Sequence, residues 1–113
     1  MTDTDRLQAV RDVYRAYESA DRALVEQRLA EDFVFSAPPD VGIDRKTYFE
    51  RCWPGSQTID AFEFKRLFEA DGEVVVTYEA TRANGTRFRN TEIFGFEDDR
   101  VNSVEVYFGW DLD

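Results

Sequence analysis

Carboxylates and tyrosines are the side chains of this sequence that could move protons inside an apolar site. The 113 residues contain no histidine, which removes the commonest general base and the commonest metal ligand together. The single cysteine, Cys52, excludes an internal disulfide, and without a histidine to activate it we interpret it as a small core residue. The glycines are scattered and form no phosphate-binding loop. We therefore expect neither a metal nor a cofactor, and any chemistry would be acid–base catalysis by Glu, Asp and Tyr.

Glu92 lies in a stretch where polar and apolar residues alternate. The alternation over Thr86–Phe96 places Glu92 and Asn90 on a strand face that is rich in Phe. Such a face points to the interior, where a polar side chain is unusual unless it is hydrogen-bonded or faces a cavity. The alternative is a strand near the cavity mouth, where both side chains reach water. The residues that share this face are Phe88, Asn90, Glu92, Phe94 and Phe96.

Charge and aromatic content narrow the class of partner. The 24 acidic and 14 basic residues give a net charge of −10, which argues against nucleic acid and against an anionic membrane surface. No run reaches the ~18 apolar residues that span a bilayer, and the residues before the first helix do not show the basic-plus-apolar pattern that predicts a signal peptide. Ten Phe, five Tyr and two Trp can line both a core and a cavity. We expect a cytoplasmic protein that binds a small hydrophobic organic ligand.

Helical spacing of apolar residues marks the first part of the chain. It predicts a first helix through Tyr14 and Tyr17, a shorter second helix through Leu29, and a third from Asp44 to Trp53. A short strand, Asp32–Ser36, separates the second helix from the third, and the loop after this strand holds Asp40.

From Thr58 onward the apolar residues recur at every second position, the spacing that is typical of strands. Asp71-Gly72 and Asn84-Gly85 are hairpin signals, and they divide the region into consecutive antiparallel strands. Helices followed by hairpins predict an α+β fold with an antiparallel sheet, in one domain over residues 1–113. The four strands predicted here are Ile59–Glu69, Glu73–Arg82, Thr86–Phe96 and Val101–Trp110.

Five segments, spread over nearly the whole chain, carry a resemblance to a known superfamily. They are Val13-Tyr14-Arg15-Ala16-Tyr17, Leu29-Ala30-Glu31-Asp32-Phe33-Val34-Phe35, Tyr48-Phe49, Arg87-Phe88-Arg89-Asn90-Thr91-Glu92 and Glu105-Val106-Tyr107-Phe108-Gly109. In order and spacing they resemble the nuclear transport factor 2-like superfamily, in its SnoaL-like and ketosteroid isomerase-like branch. The resemblance implies a cone-shaped, strongly bent antiparallel sheet with three N-terminal helices packed on its concave face, enclosing a pocket. It also implies a homodimer. Members of the superfamily range from isomerases, cyclases and epoxide hydrolases to binding modules without catalysis.

The resemblance also suggests roles in the last strand and the first helix. It implies that Glu105 and Tyr107 look into the pocket, whereas the alternation alone prefers the face of Val104 and Val106 inside. An interface or a surface salt bridge is the alternative for Glu105. Tyr14 falls near the tyrosine with which ketosteroid isomerases hydrogen-bond a developing enolate oxygen, and its alternative is a core tyrosine bonded to a backbone carbonyl.

One departure from the family argues against ketosteroid isomerase activity. Ala37 stands where the family's catalytic aspartate precedes a proline, and Asp40, three residues later, is expected to be solvated on its loop. An epoxide hydrolase would need two carboxylates and an arginine around one water. The residues that supply those types are Glu92, Glu105 and either Arg66 or Arg82.

Two functions therefore stay open. The first is a cofactor-independent enzyme acting on a hydrophobic metabolite, with Glu92 or Glu105 as the base and Tyr14 or Tyr107 donating to an oxyanion. The second is a non-catalytic dimeric module for ligand binding or an accessory role. Polar groups that converge on one another in a dry pocket would favour the enzyme, and a pocket packed shut by aromatic rings would favour the module. The candidate ligand-binding residues, for which core or interface packing is the alternative, are Tyr17, Tyr48, Trp53, Phe88, Asn90, Tyr107 and Trp110.

Overall fold

A curved six-stranded sheet and three α-helices make up the computed structural model, which describes residues 3–112. The α+β class and the cone-like arrangement expected from the sequence are confirmed, and the sheet is not closed into a barrel. The helices are α1 (Asp3–Ser19), α2 (Arg22–Arg28) and α3 (Arg45–Arg51), and a 3₁₀ helix spans Trp53–Thr58. The strands are β1 (Leu29–Ala37), β2 (Asp40–Asp44), β3 (Ile59–Ala70), β4 (Glu73–Arg82), β5 (Arg87–Glu97) and β6 (Arg100–Asp111).

The sheet has the order β2-β1-β6-β5-β4-β3. Strands β3 to β6 form an antiparallel meander, whereas β1 lies parallel to β6. The β3–β4 turn has positive φ at both Asp71 (53°) and Gly72 (79°), the backbone that matches the twist of the flanking strands. At the β4–β5 turn, the Asn84 side chain accepts a hydrogen bond from the Thr86 amide at 3.0 Å. The hairpins thus follow the turn residues that predicted them.

The segment after the first strand differs from its prediction. The loop expected around Asp40 is strand β2, which pairs antiparallel with β1 after a two-residue turn at Pro38-Pro39. The Ser36 hydroxyl accepts a hydrogen bond from the Gly42 amide at 2.9 Å and thereby ties the two strands together. Strand β1 itself begins at Leu29, which the helical spacing had placed in the second helix.

Helix caps explain where α2 and α3 begin. The Asp21 carboxylate accepts from the Leu24 amide at 3.2 Å, and the Asp44 carboxylate accepts from the Thr47 amide at 2.9 Å. The bond from Thr47 lowers the pKa of Asp44. Helix α3 ends earlier than predicted, because Trp53 belongs to the 3₁₀ helix in which Pro54 occupies the first turn.

The core lies between the helices and the concave face of the sheet. Helix α1 contacts β3, β4 and β6, and the Glu18 carboxylate at its end accepts a hydrogen bond from the Phe62 amide of β3 at 2.8 Å. The inward face of β4 is apolar, as a period of two requires, and its buried residues are Val74, Val76, Tyr78 and Ala80. The outward face is polar, with an Arg89–Glu79 ion pair and a Thr77–Thr91 hydrogen bond of 2.8 Å. Residues on the concave face are therefore the ones that can surround a ligand.

Candidate active site

A cavity of about 280 Å³ opens between the concave face of the sheet and the helices that cover it. Its wall is mostly aromatic and aliphatic, which suits a small apolar molecule. The residues that line it are Val13, Tyr14, Tyr17, Leu29, Phe33, Phe35, Ala37, Pro39, Asp40, Tyr48, Cys52, Ile59, Phe62, Tyr78, Phe88, Glu92, Phe94, Val104, Val106 and Phe108.

Glu92 is the carboxylate that β5 points into this cavity. The alternation of β5 predicted this orientation, and Phe88 and Phe94 on the same face line the cavity with it. Its partner in the β5–β6 ladder is Val106, so the side chain across from it on β6 is apolar. Burial raises the pKa of Glu92, whereas the hydrogen bond from Tyr78 and, to a smaller extent, the nearby Tyr14 hydroxyl lower it. The environment therefore favours a carboxyl group that can hold a proton closer to neutral pH than an exposed glutamate does.

Tyr78 is the hydrogen-bond partner of Glu92, and it is not among the site residues predicted from the sequence. Its hydroxyl donates to Glu92 Oε2 at 2.6 Å, and its ring is buried on the inward face of β4. A signal for it was present in the sequence, because the same alternation that buries Val74 and Val76 puts Tyr78 on the inward face. In the β4–β5 ladder Tyr78 pairs with Asn90, which makes Glu92 a diagonal neighbour within reach of a long side chain.

Three further tyrosines surround the same carboxylate. The hydroxyls of Tyr17 and Tyr48 are hydrogen-bonded to each other, which joins α1 to α3. Tyr14 is buried, and within residues 3–112 its hydroxyl has no hydrogen-bond partner of good geometry, although it lies near enough to Glu92 for each to affect the other's pKa. Burial raises the pKa of all of these tyrosines, so each is a neutral hydroxyl that can donate a proton in a hydrogen bond.

The last strand turns the opposite face to the cavity from the one the resemblance implied. Val104, Val106 and Phe108 line the cavity, while Glu105 is exposed and Tyr107 is 52% exposed. The interpretation that Glu105 and Tyr107 look into the pocket is therefore wrong, and the alternation, which preferred the valine face, is right. The physical reason is that the valines pack on the core, with Val104 buried against it.

The remaining ligand-binding candidates are divided between the cavity and its surroundings. Tyr17, Tyr48 and Phe88 line the cavity. Trp53 lies outside the lining and packs edge-on against Tyr17, with ring centroids 4.9 Å apart. Asn90 and Trp110 lie in a shallower neighbouring cleft that shares Phe88 and Phe108 with the cavity.

Asp40 is not the solvated loop residue that was expected. It lies at the start of β2, lines the cavity and forms an ion pair with Arg51 of α3 at 2.6 Å. Cys52 also lines the cavity, and burial raises the pKa of its thiol to about 11, so it is a neutral thiol at physiological pH. Within residues 3–112, no three cysteine or carboxylate side chains come together as metal ligands would.

The residue set for an epoxide hydrolase is not brought together. Glu105 and Arg66 are exposed, and Arg82 stacks over the Phe88 ring at 4.2 Å instead of entering the cavity. Among the described residues that line the cavity, the acids are Asp40 and Glu92, and none is an arginine.

Known proteins share this architecture. A family model described as "SnoaL-like domain" matches residues 10–104. A comparison with curated proteins gives no match.

No helix within residues 3–112 combines the length and apolar character that a membrane crossing needs.

Solved structures match over almost the whole chain at low sequence identity. A Mycobacterium tuberculosis protein described as an LEH-like epoxide hydrolase is 18% identical with a TM-score of 0.79, covering 95% of this chain and 84% of its own. A Kribbella flavida protein named provisionally as a ketosteroid isomerase is 15% identical with a TM-score of 0.81, covering 98% and 82%. A protein designed de novo with a curved β-sheet is 12% identical with a TM-score of 0.84, covering 96% and 88%. At such identities these structures share a fold with this chain, and the site must be argued from its own residues.

Proposed function

We propose that this chain, which belongs to the SnoaL-like domain family, binds a small, largely apolar organic molecule in its cavity and transfers a proton to or from it through Glu92. The observation that carries the proposal is a carboxyl group with a raised pKa, held by a 2.6 Å hydrogen bond from Tyr78, in an open cavity of about 280 Å³. Polar groups converge in this space, and the aromatic rings do not fill it. Both features favour the enzyme over the non-catalytic module.

A carbonyl compound with an acidic neighbouring C–H fits this arrangement. The Glu92 carboxylate would take the proton from carbon, and the electron pair of the C–H bond would move onto the carbonyl oxygen to give an enolate. Tyr14 is the donor we assign to that oxygen, because within the described residues its hydroxyl proton is not used in a hydrogen bond of good geometry. Where a C=C bond is conjugated with the enolate, the electron pair on oxygen would re-form the carbonyl while the far carbon takes the proton back from Glu92, which completes an isomerisation. Where the enolate carbon attacks a second carbonyl of the same molecule instead, the alkoxide formed there would take the proton from Glu92, which completes a cyclisation. Neither path needs a cofactor.

The pKa of Glu92 supports the role of a general base. A base works best when its pKa lies near the operating pH, and burial moves Glu92 in that direction. The hydrogen bond from Tyr78 limits that rise, since it stabilises the ionised form that must accept the proton.

The test begins with thermal-shift screening against small carbonyl compounds. A ligand at a hundredfold excess over Kd should stabilise the protein by ~2.7 kcal/mol. Turnover of each hit is then measured for wild type and for Glu92→Gln, with Glu105→Gln as the matched control because Glu105 is exposed outside the cavity. We expect Glu92→Gln to bind the hit but to lose turnover by ~100-fold or more, while Glu105→Gln behaves as wild type. Equal turnover by wild type and Glu92→Gln would contradict the catalytic role.

A homodimer is the second part of the proposal. The outer side of β6 exposes large apolar side chains, with Tyr107 at 52% and Trp110 at 62% exposure, and such a surface suits a second copy of the sheet. Sedimentation of wild type and of Trp110→Glu at equal concentration tests this: a dimer that the charged variant converts to monomer is expected, and a monomeric wild type would contradict it. A cytoplasmic location stays a prediction.

A further inference from the structure

Three hydrogen bonds run in series from the backbone of β6 to the Glu92 carboxylate. The Gly109 amide donates to Asn90 Oδ1 at 3.2 Å. Asn90 Nδ2 then donates to the Tyr78 hydroxyl oxygen at 3.4 Å, and the Tyr78 hydroxyl donates to Glu92 Oε2 at 2.6 Å. A backbone amide N–H can only donate, so it fixes which end of the Asn90 side chain faces Gly109 and hence that Asn90 donates to Tyr78.

The first donor is available because β6 carries a bulge. Asn90 pairs with Phe108 and Arg89 pairs with Trp110, which leaves Gly109 as an extra residue between the two pairs. A Cβ added at Gly109 would lie 2.2 Å from the Arg89 carbonyl oxygen, so this close approach of the two strands requires glycine. The bulge thus frees one amide from the β5–β6 ladder and directs it to the Asn90 side chain.

We propose that Asn90 and Tyr78 are positioning residues that hold the Glu92 carboxylate in one orientation, with the Gly109 bulge as their anchor. This inference rests on the proposed role of Glu92 in proton transfer. Asn90 acts through Tyr78: its amide donates to one lone pair of the Tyr78 oxygen and so holds the hydroxyl in the position from which its proton is directed at Glu92. Asn90, a candidate ligand-binding residue in the sequence analysis, here acts from outside the cavity.

The groups around Glu92 leave Tyr78 as its main hydrogen-bond donor. The ladder partners of Glu92 on the two neighbouring strands, Val76 and Val106, are apolar. The titratable groups that act on it from the helices are the hydroxyls of Tyr14, Tyr17 and Tyr48, all of them neutral. The other acid in the cavity wall, Asp40, is paired with Arg51.

Carboxyl ¹³C NMR of protein labelled at the glutamate side chains tests the inference without any substrate. The Glu92 signal is assigned by its loss in Glu92→Gln, and its titration midpoint is then followed in Tyr78→Phe, Asn90→Ala and the double variant. Losing the bond from Tyr78 should raise the midpoint by about one pH unit, the shift that corresponds to one hydrogen bond to a charged group. Asn90→Ala should raise it by less, and adding Asn90→Ala to Tyr78→Phe should change nothing further, because Asn90 acts only through Tyr78.

Matched controls are Tyr107→Phe and Asn102→Ala, which make the same chemical changes on residues outside the three-bond series. Neither should move the Glu92 midpoint. Gly109→Ala should reproduce the shift of Asn90→Ala. If it unfolds the protein, as a loss of near-ultraviolet circular dichroism would show, the double-variant comparison still decides the question.

The inference is overturned if Tyr78→Phe leaves the Glu92 midpoint unchanged or lowers it, or if the two substitutions simply add. These outcomes are distinct from a failure of the proposed function. A shift as expected, combined with full turnover in Glu92→Gln, would keep the positioning of Glu92 and remove its catalytic role.

Discussion

Replacing Glu92 with Gln should change the free energy of unfolding in a way that depends on pH. Gln has the shape of a protonated glutamate but cannot ionise. In the folded protein burial raises the pKa of Glu92 above the ordinary glutamate value of 4.5, which the unfolded chain keeps. The two proteins should therefore be equally stable below about pH 4, where the carboxyl group is protonated in both states.

The sign follows from proton binding. Between the unfolded and the folded pKa, the folded wild type holds a proton that the unfolded chain has lost, so wild-type stability falls as the pH rises. A single group sets a limiting slope of ~1.4 kcal/mol per pH unit, and the loss stops once the pH exceeds the folded pKa. Glu92→Gln has no ionisable group at this position, so its free energy of unfolding does not include this decrease with pH. We expect it to become more stable than wild type above about pH 5, with a difference that grows and then levels off.

Urea unfolding followed by tryptophan fluorescence measures this difference at a series of pH values. Glu105→Gln is the control, because it makes the same substitution at an exposed position outside the cavity. A Glu92→Gln curve parallel to that of Glu105→Gln would show that Glu92 is not desolvated. A Glu92→Gln protein that loses stability relative to wild type as the pH rises would show that the Tyr78 bond outweighs burial, and either result would refute the reasoning.

Two further substitutions test the cavity. Tyr14→Phe removes a buried hydroxyl that has no hydrogen-bond partner of good geometry among the described residues, so urea unfolding should show an unchanged or slightly increased stability, by up to about 1 kcal/mol; a loss above about 1 kcal/mol would show that the hydroxyl is bonded in solution. Val106→Phe puts a ring into the cavity opposite Glu92 and should abolish the thermal shift caused by any ligand found in screening, whereas Val41→Phe, at a site 78% exposed, should keep it. Ligand binding that survives Val106→Phe would place the binding site elsewhere.

The hairpin half of the fold could be read from the sequence because its signals are local. The turns at Asp71-Gly72 and Asn84-Gly85 fixed three strands to within a residue of their ends, and alternation along β5 placed Glu92 inside. Alternation also gave the right face of β6, where the resemblance to distant relatives pointed to Glu105 instead. Side-chain period is a property of this chain, whereas a relative's register can differ by the one residue that exchanges the two faces.

The parts that the sequence did not predict depend on contacts between distant segments. Strand β2 is only five residues long, which is too short for its alternation to distinguish it from a loop, and it pairs with β1 across the Pro38-Pro39 turn. Predicting the role of Tyr78 would have required the register of β4 against β5, which the alternation within one strand does not give. Asp40 lines the cavity because β2 folds back along β1 and brings Asp40 against Arg51 of α3. This arrangement leaves no periodic pattern in the local sequence from which it could be predicted.

The parallel contact of β1 with β6 determines when the molecule can finish folding. Val34 pairs with Ser103 and Phe35 with Val104, so segments nearly 70 residues apart must meet. The β3–β6 meander is built from neighbouring hairpins and can form early, but closing this long loop is slow and unfavourable until the contacts it allows are made. During synthesis, the edge of β1 that pairs with β6 therefore stays unpaired until β6 has left the ribosome, and an unpaired strand edge is prone to aggregation. The cavity, whose wall includes both strands, is then the last part of the protein to form.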